Sequence, residues 1–138
     1  MGTHIGGSLV RAARRLGLDP IVLDAAEAES RNRLLRTWNW RVRGRRPGHL
    51  ERYSQSIPDR LGPARPLVLV ATGAAPLTAS TLAVLREQRV VTVNYSTDDP
   101  FNPVHRAPWH LQALPHYDVV FTPRRANVGD LQRLGCPL

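Results

Sequence analysis

Two adjacent carboxylates, Asp98 and Asp99, close an apolar run and are followed by Pro-Phe-Asn-Pro103 and then His105. Neighbouring carboxylates repel each other, which lifts the pKa of one toward the range a general base needs. The same residues also make ordinary turns through local hydrogen bonds. A second apolar run ends at Thr72-Gly73, where a glycine lets backbone and ligand approach closely. Near the start, His4-Ile-Gly6-Gly7-Ser8 reads as a loop before a helix, with His4 able to meet a ligand hydroxyl and the glycines able to meet a phosphate or sugar. This is not a full G-x-G-x-x-G, and no P-loop lysine follows it. His105, His110 and His116 with the carboxylate pair do not form a metal-ligand pattern, because His105 and His110 are five apart and Pro108 lies between them. No Ser/His/Asp arrangement or cysteine-nucleophile motif is present in the sequence.

The elements that must position these groups follow from periodicity. Leu9, Ala12, Ala13 and Leu16 recur at helical spacing, with Ser8 as cap and Gly17 as stop. Pro20-Ile-Val-Leu-Asp24 predicts a short buried strand. A helix over roughly 26–42 would set Leu34, Leu35, Trp38 and Val42 on one side and most arginines on the other, with Trp38 in the core. Residues 48–66 hold several turn formers and read as a connection, with at most one helical turn near 49–54. Pro66 to Gly73 is the clearest strand. A helix capped by Thr78 or Ser80, a strand over 90–95, a proline-interrupted segment with Trp109, a strand over 117–122 and a helix over about 126–134 stopped by Gly135 complete the chain. Strands alternating with helices predict a Rossmann-like α/β three-layer sandwich around a mostly parallel sheet. No strand precedes the first loop, so the usual first strand is expected to be lacking. In such sheets ligands sit outside the carboxyl ends of the strands, which puts Gly6 and Gly7, Asp24, Thr72 and Gly73, the Thr97–Pro103 loop with His105, and Thr122-Pro-Arg-Arg125 on one edge.

The 138 residues correspond to one domain. No apolar stretch reaches membrane-spanning length, and one cysteine, Cys136, excludes an intramolecular disulfide, so a cytoplasmic protein is expected. The formal charge is +8, every basic side chain is Arg, and eight of the nineteen fall between Arg31 and Arg52 against the single acid Glu51. Such a stretch attracts phosphates, nucleic acid or an anionic membrane face. With Trp38 assigned to the core, a solvated or partner-facing surface is the preferred reading over nucleic acid.

Taken in order, His4-Ile-Gly-Gly-Ser8, Arg65-Pro-Leu-Val-Leu-Val, Thr81-Leu-Ala-Val-Leu-Arg86, Val91-Thr-Val-Asn-Tyr-Ser-Thr-Asp-Asp-Pro-Phe101 and His116-Tyr-Asp-Val-Val-Phe-Thr-Pro123 resemble the amino-terminal half of CgeB-like glycosyltransferases. The resemblance implies a GT-B enzyme whose amino-terminal domain holds the acceptor and whose carboxy-terminal domain holds a nucleotide-sugar. It implies that Asp98 or Asp99 is the base for an acceptor hydroxyl and that Gly6 and Gly7 line the donor or acceptor phosphate side; His4, Thr72, Gly73 and His105 join them as substrate-binding candidates through residue type and place in the sequence. No cofactor or metal is implied beyond the nucleotide-sugar donor. Since a donor-binding half is not in this sequence, the chain is expected to be inactive alone and to work with a donor-domain chain or as a homo-oligomer. The alternative is a stand-alone arginine-rich module binding nucleic acid or an acidic protein.

Overall fold

A computed structural model of the chain describes residues 4–62 and 66–138, with the side chain of His4 outside the described residues. The apolar β-branched runs form three parallel strands, β1 (Val68–Thr72), β2 (Val91–Tyr95) and β3 (Val119–Phe121), in the order β1-β2-β3. Val68 pairs with Val91 and Val93 with Val119, so Thr72, Tyr95 and Phe121 end in one row. Helices α4 (Ala79–Glu87), α5 (Pro108–Ala113) and α6 (Arg125–Arg133) follow β1, β2 and β3 in turn. The result is an α/β fold with an all-parallel sheet, compatible with a Rossmann-like scaffold.

Helix ends lie where the sequence marks them. Thr78 caps α4 by accepting from the Thr81 N–H at 3.4 Å. Gly135 (φ 84°) turns the chain after α6, and the Cys136 N–H then donates to Leu131 O at 3.0 Å. Gly17 (φ 78°) ends α1 (His4–Arg15) in the same way.

The first half departs from expectation. Residues 20–24 form no strand; Asp24 instead caps a short 3₁₀ turn, Ala25–Ala28, through its Oδ1 and the Ala26 N–H at 2.9 Å. An apolar run this short becomes a strand only when a sheet edge receives it. The long helix over 26–42 is broken, because Asn32 accepts from the Leu34 and Leu35 N–H groups and starts a new helix, α2 (Arg33–Arg41). Residues 50–61, expected as connection, form α3 (Leu50–Leu61). Leu50, Tyr53, Ile57 and Leu61 are all buried on its inner face at spacings of three and four, and Pro58 is accommodated inside the helix.

The core lies on one side of the sheet. Leu69, Ala71 and Val120 share the core with Ile57 of α3, Leu82 and Leu85 of α4, Leu131 of α6, and Leu114 and Tyr117 from the segment between α5 and β3. On the opposite side Val68, Val70, Val91 and Phe121 are exposed, each about half or more. Topology accounts for this: successive strands added in one direction by right-handed crossovers put every crossover helix on the same face.

Two polar networks tie elements together around the core. The Ser54 hydroxyl accepts from the Thr78 N–H at 2.9 Å and donates to Thr81 Oγ1 at 2.8 Å, joining α3 to the start of α4. Asp118 Oδ2 accepts from the Thr92 N–H at 2.8 Å and hydroxyl at 2.9 Å, and Oδ1 accepts from Arg86 Nε at 3.0 Å. Burial alone pushes the Asp118 carboxyl up, but the Thr92 and Arg86 donors outweigh it and hold the carboxyl below its usual range.

Candidate functional site

Gly73 takes φ 59° directly after β1, a left-handed conformation that suits glycine. Its N–H donates to Tyr95 O at 2.8 Å and its carbonyl accepts from Asn94 Nδ2 at 3.0 Å, so the chain turns back over the end of β2. A Cβ there would stand 3.2 Å from Thr97 Oγ1. The Ser96 N–H donates to Phe121 O at 2.8 Å and extends the same row toward β3.

Beyond these ends lies a cavity of about 240 Å³ whose lining includes Gly73, Ser96, Asp98, His105 and His110. This is below the roughly 300–1,000 Å³ usual for drug-sized ligands and suits one small ring or group. Its opposite wall comes from the first half of the chain: Glu29, Trp40, Arg45 and Pro47. Two contacts bring that wall in. Gly44 packs against Pro108 at the start of α5, where a Cβ would lie 2.9 Å from Pro108 Cδ. The Trp109 Nε1–H donates to Arg45 O at 3.2 Å. Arg45, itself at φ 61°, lays its guanidinium 4.3 Å above the Trp40 ring.

The carboxylate pair divides its work. Asp98 lines the cavity, whereas Asp99 accepts from the Phe101 N–H at 3.0 Å and the Asn102 N–H at 3.3 Å and thereby closes the loop's turn. His105 lines the cavity from the same loop. Thr72 ends β1 half-buried and is not part of the lining. Gly6 and Gly7 lie inside α1 and not in a loop before it; a Cβ on Gly6 would meet nothing within 4 Å, and neither glycine borders the cavity. Helix therefore takes the place of the expected glycine loop. Thr122 Oγ1 accepts from the Arg124 N–H at 3.2 Å, a local turn at the end of β3.

Comparison with protein-family models, curated proteins and solved structures finds no match. The site therefore rests on its own chemistry.

His110 is the member that spacing did not single out. It is 3% exposed on α5, its Nδ1 is buried without a hydrogen-bond partner, and desolvation holds the imidazole down to about 4. At neutral pH the ring is uncharged and offers one donor and one acceptor. Its tilted contact with Trp109, 5.7 Å between centroids, fixes the ring plane. No signal in the sequence separates this histidine from the others, because its burial, which decides its state, belongs to the packed chain. Among the described residues no group of three or more His, Cys, Asp or Glu side chains is arranged to hold a metal ion. A second, smaller cavity of about 190 Å³ between Glu27, His49, Arg52, Tyr53 and Ser56 is built without residues from the strand ends.

A carboxylate and an uncharged imidazole beside indole surfaces can accept and donate to hydroxyl groups while apolar faces pack against the rings. This combination suits a small, neutral, hydroxylated ligand.

Proposed function

We propose that the chain is the acceptor-side domain of a CgeB-like glycosyltransferase, moving a sugar from a nucleotide-sugar to a hydroxyl acceptor in the assembled enzyme. The observation that carries this reading is the cavity at the carboxyl ends of β1 and β2, where Asp98, His105 and His110 stand opposite Trp40. Asp98 is the base for the acceptor hydroxyl, and His105 and His110 hold hydroxyls through hydrogen bonds. Asp99 supports the loop that presents Asp98. The scaffold is a Rossmann-like three-layer sandwich lacking the usual first strand. The exposed Val68, Val70 and Val91 side chains support a further layer over that face, since parallel sheets are ordinarily covered on both sides. The donor site belongs to a separate domain or chain, so transfer by this chain alone is not expected. A cytoplasmic setting is supported by the lone cysteine, Cys136, which is buried and free.

Saturation-transfer NMR of the full chain with methyl glycosides and with UDP-glucose tests the reading. Methyl glycosides are expected to bind, Asp98→Asn is expected to weaken them about tenfold, in line with loss of a charged hydrogen bond, and UDP-glucose is expected to bind less well than the glycosides. No glycoside binding, or binding untouched by Asp98→Asn, overturns it. A second reading, an arginine-rich module for nucleic acid or an acidic protein, draws support from α2, where Trp38 is exposed rather than in the core.

A further inference from the structure

Helix α2 is turned against its own pattern. At roughly 100° per residue, Leu34, Leu35, Trp38 and Val42 occupy one arc of about 100°. That arc ordinarily faces a core, yet these side chains are 80%, 53%, 57% and 59% exposed. The residue the helix buries is Asn39. The carbonyl of Asn39 accepts from the Arg45 N–H at 3.1 Å and the Arg43 N–H at 3.2 Å, so the following turn holds the helix in this orientation.

The charge around the stripe is of one sign. Arg31, Arg33, Arg36, Arg41 and Arg43 are exposed, none pairs with an acid among the described residues, and no Asp or Glu occurs from Arg31 to Leu50. Unpaired arginines around a leucine- and tryptophan-bearing stripe are the pattern of interfacial amphipathic helices, which lie in the plane of a bilayer surface. On a bilayer such a stripe would enter the headgroup boundary, with Trp38 at the interfacial depth tryptophan favours and the arginines reaching along their aliphatic stems to lipid phosphates. Nucleic acid would use the charge and the indole but leave the aliphatic surface of Leu34, Leu35 and Val42 in water. Among the described residues no helix is long and apolar enough to cross a membrane, so attachment is at the surface.

We infer that α2 docks the protein onto a bilayer surface containing anionic lipid. The inference is independent of the sugar-transfer reading, since the stripe lies outside the cavity lining.

Flotation of the full chain with vesicles tests it. Binding to mixed phosphatidylcholine–phosphatidylglycerol vesicles is expected, with a blue shift of tryptophan fluorescence, and binding to pure phosphatidylcholine at least about tenfold weaker. The Leu34→Ser/Leu35→Ser variant is expected to lose about tenfold or more in affinity. The Arg36→Ser/Arg41→Ser variant is expected to lose a similar factor. An Arg124→Ser/Arg125→Ser control with the same charge change should stay within about twofold of wild type, because charge far from the contact matters little. All four substituted positions in α2 are exposed, and circular dichroism confirms that each variant remains folded. Failure of the wild type to float overturns the inference, as does equal binding to both vesicle types. It is also overturned if RNA displaces the vesicles with an affinity that Leu34→Ser/Leu35→Ser leaves unchanged, or if the stripe mediates only self-association seen by sedimentation.

Discussion

Acid stability follows from His110. The imidazole is uncharged in the folded protein down to about pH 4, while in the unfolded chain it takes up a proton near its ordinary value of 6.5. Between those values the unfolded state holds one more proton than the native state, so stability falls as pH falls. The contribution is fully present above about 6.5, declines toward about 4, and levels off below, where the native state is protonated too. At about 1.36 kcal/mol per pH unit across that gap, the loss amounts to about 3 kcal/mol. Against a usual domain stability of about 5–15 kcal/mol this is a large fraction. Urea unfolding followed by circular dichroism across this range reads it directly. In His110→Leu the slope is expected to vanish, with stability at neutral pH within about 1 kcal/mol of wild type, because an unpartnered buried polar group is replaced by an apolar one. The Asp118 carboxyl does not mimic the effect: held below its ordinary 3.8, it withdraws stability only as pH falls below that value. A variant that keeps the wild-type slope, or a wild type that is flat from 6.5 to 5, refutes the burial of a neutral ring.

Two further outcomes follow from the packing. Thr92→Val removes a fully buried hydroxyl that donates to Asp118, and is expected to cost about 1–3 kcal/mol in urea unfolding while moving the Asp118 carboxyl upward by NMR; no change in either would show the network to be idle. Gly73→Ala places a side chain at φ 59° and 3.2 Å from Thr97 Oγ1, and is expected to cost about 1–2 kcal/mol. An unchanged melting temperature would mean the turn after β1 is not held as described.

Most of what could be read from the sequence alone lies in the second half of the chain, together with the end of α1 at Gly17. The runs ending at Thr72, Tyr95 and Phe121 are β-branched and continuous, and Thr78, Gly17 and Gly135 mark helix ends by local hydrogen bonding or backbone freedom. Those signals act within a few residues, so the α/β class with a mostly parallel sheet and the place of Asp98 after a strand end follow from them. The first half did not yield to the same reasoning. Pro20 to Asp24 has strand composition but pairs with no strand, and α3 is masked by Pro47, Gly48 and Pro58 although its inner face is well spaced. The periodicity of α2 is equally plain, yet periodicity reports which residues share a face and not where that face points. Its orientation comes from Asn39 and the turn through Arg45, and the state of His110 comes from its burial. The site's second wall joins residues more than sixty positions apart, Arg45 and Trp109 among them. Local chemistry sets elements and caps, whereas burial and the meeting of distant segments depend on the packed chain as a whole, and only tertiary structure decides them.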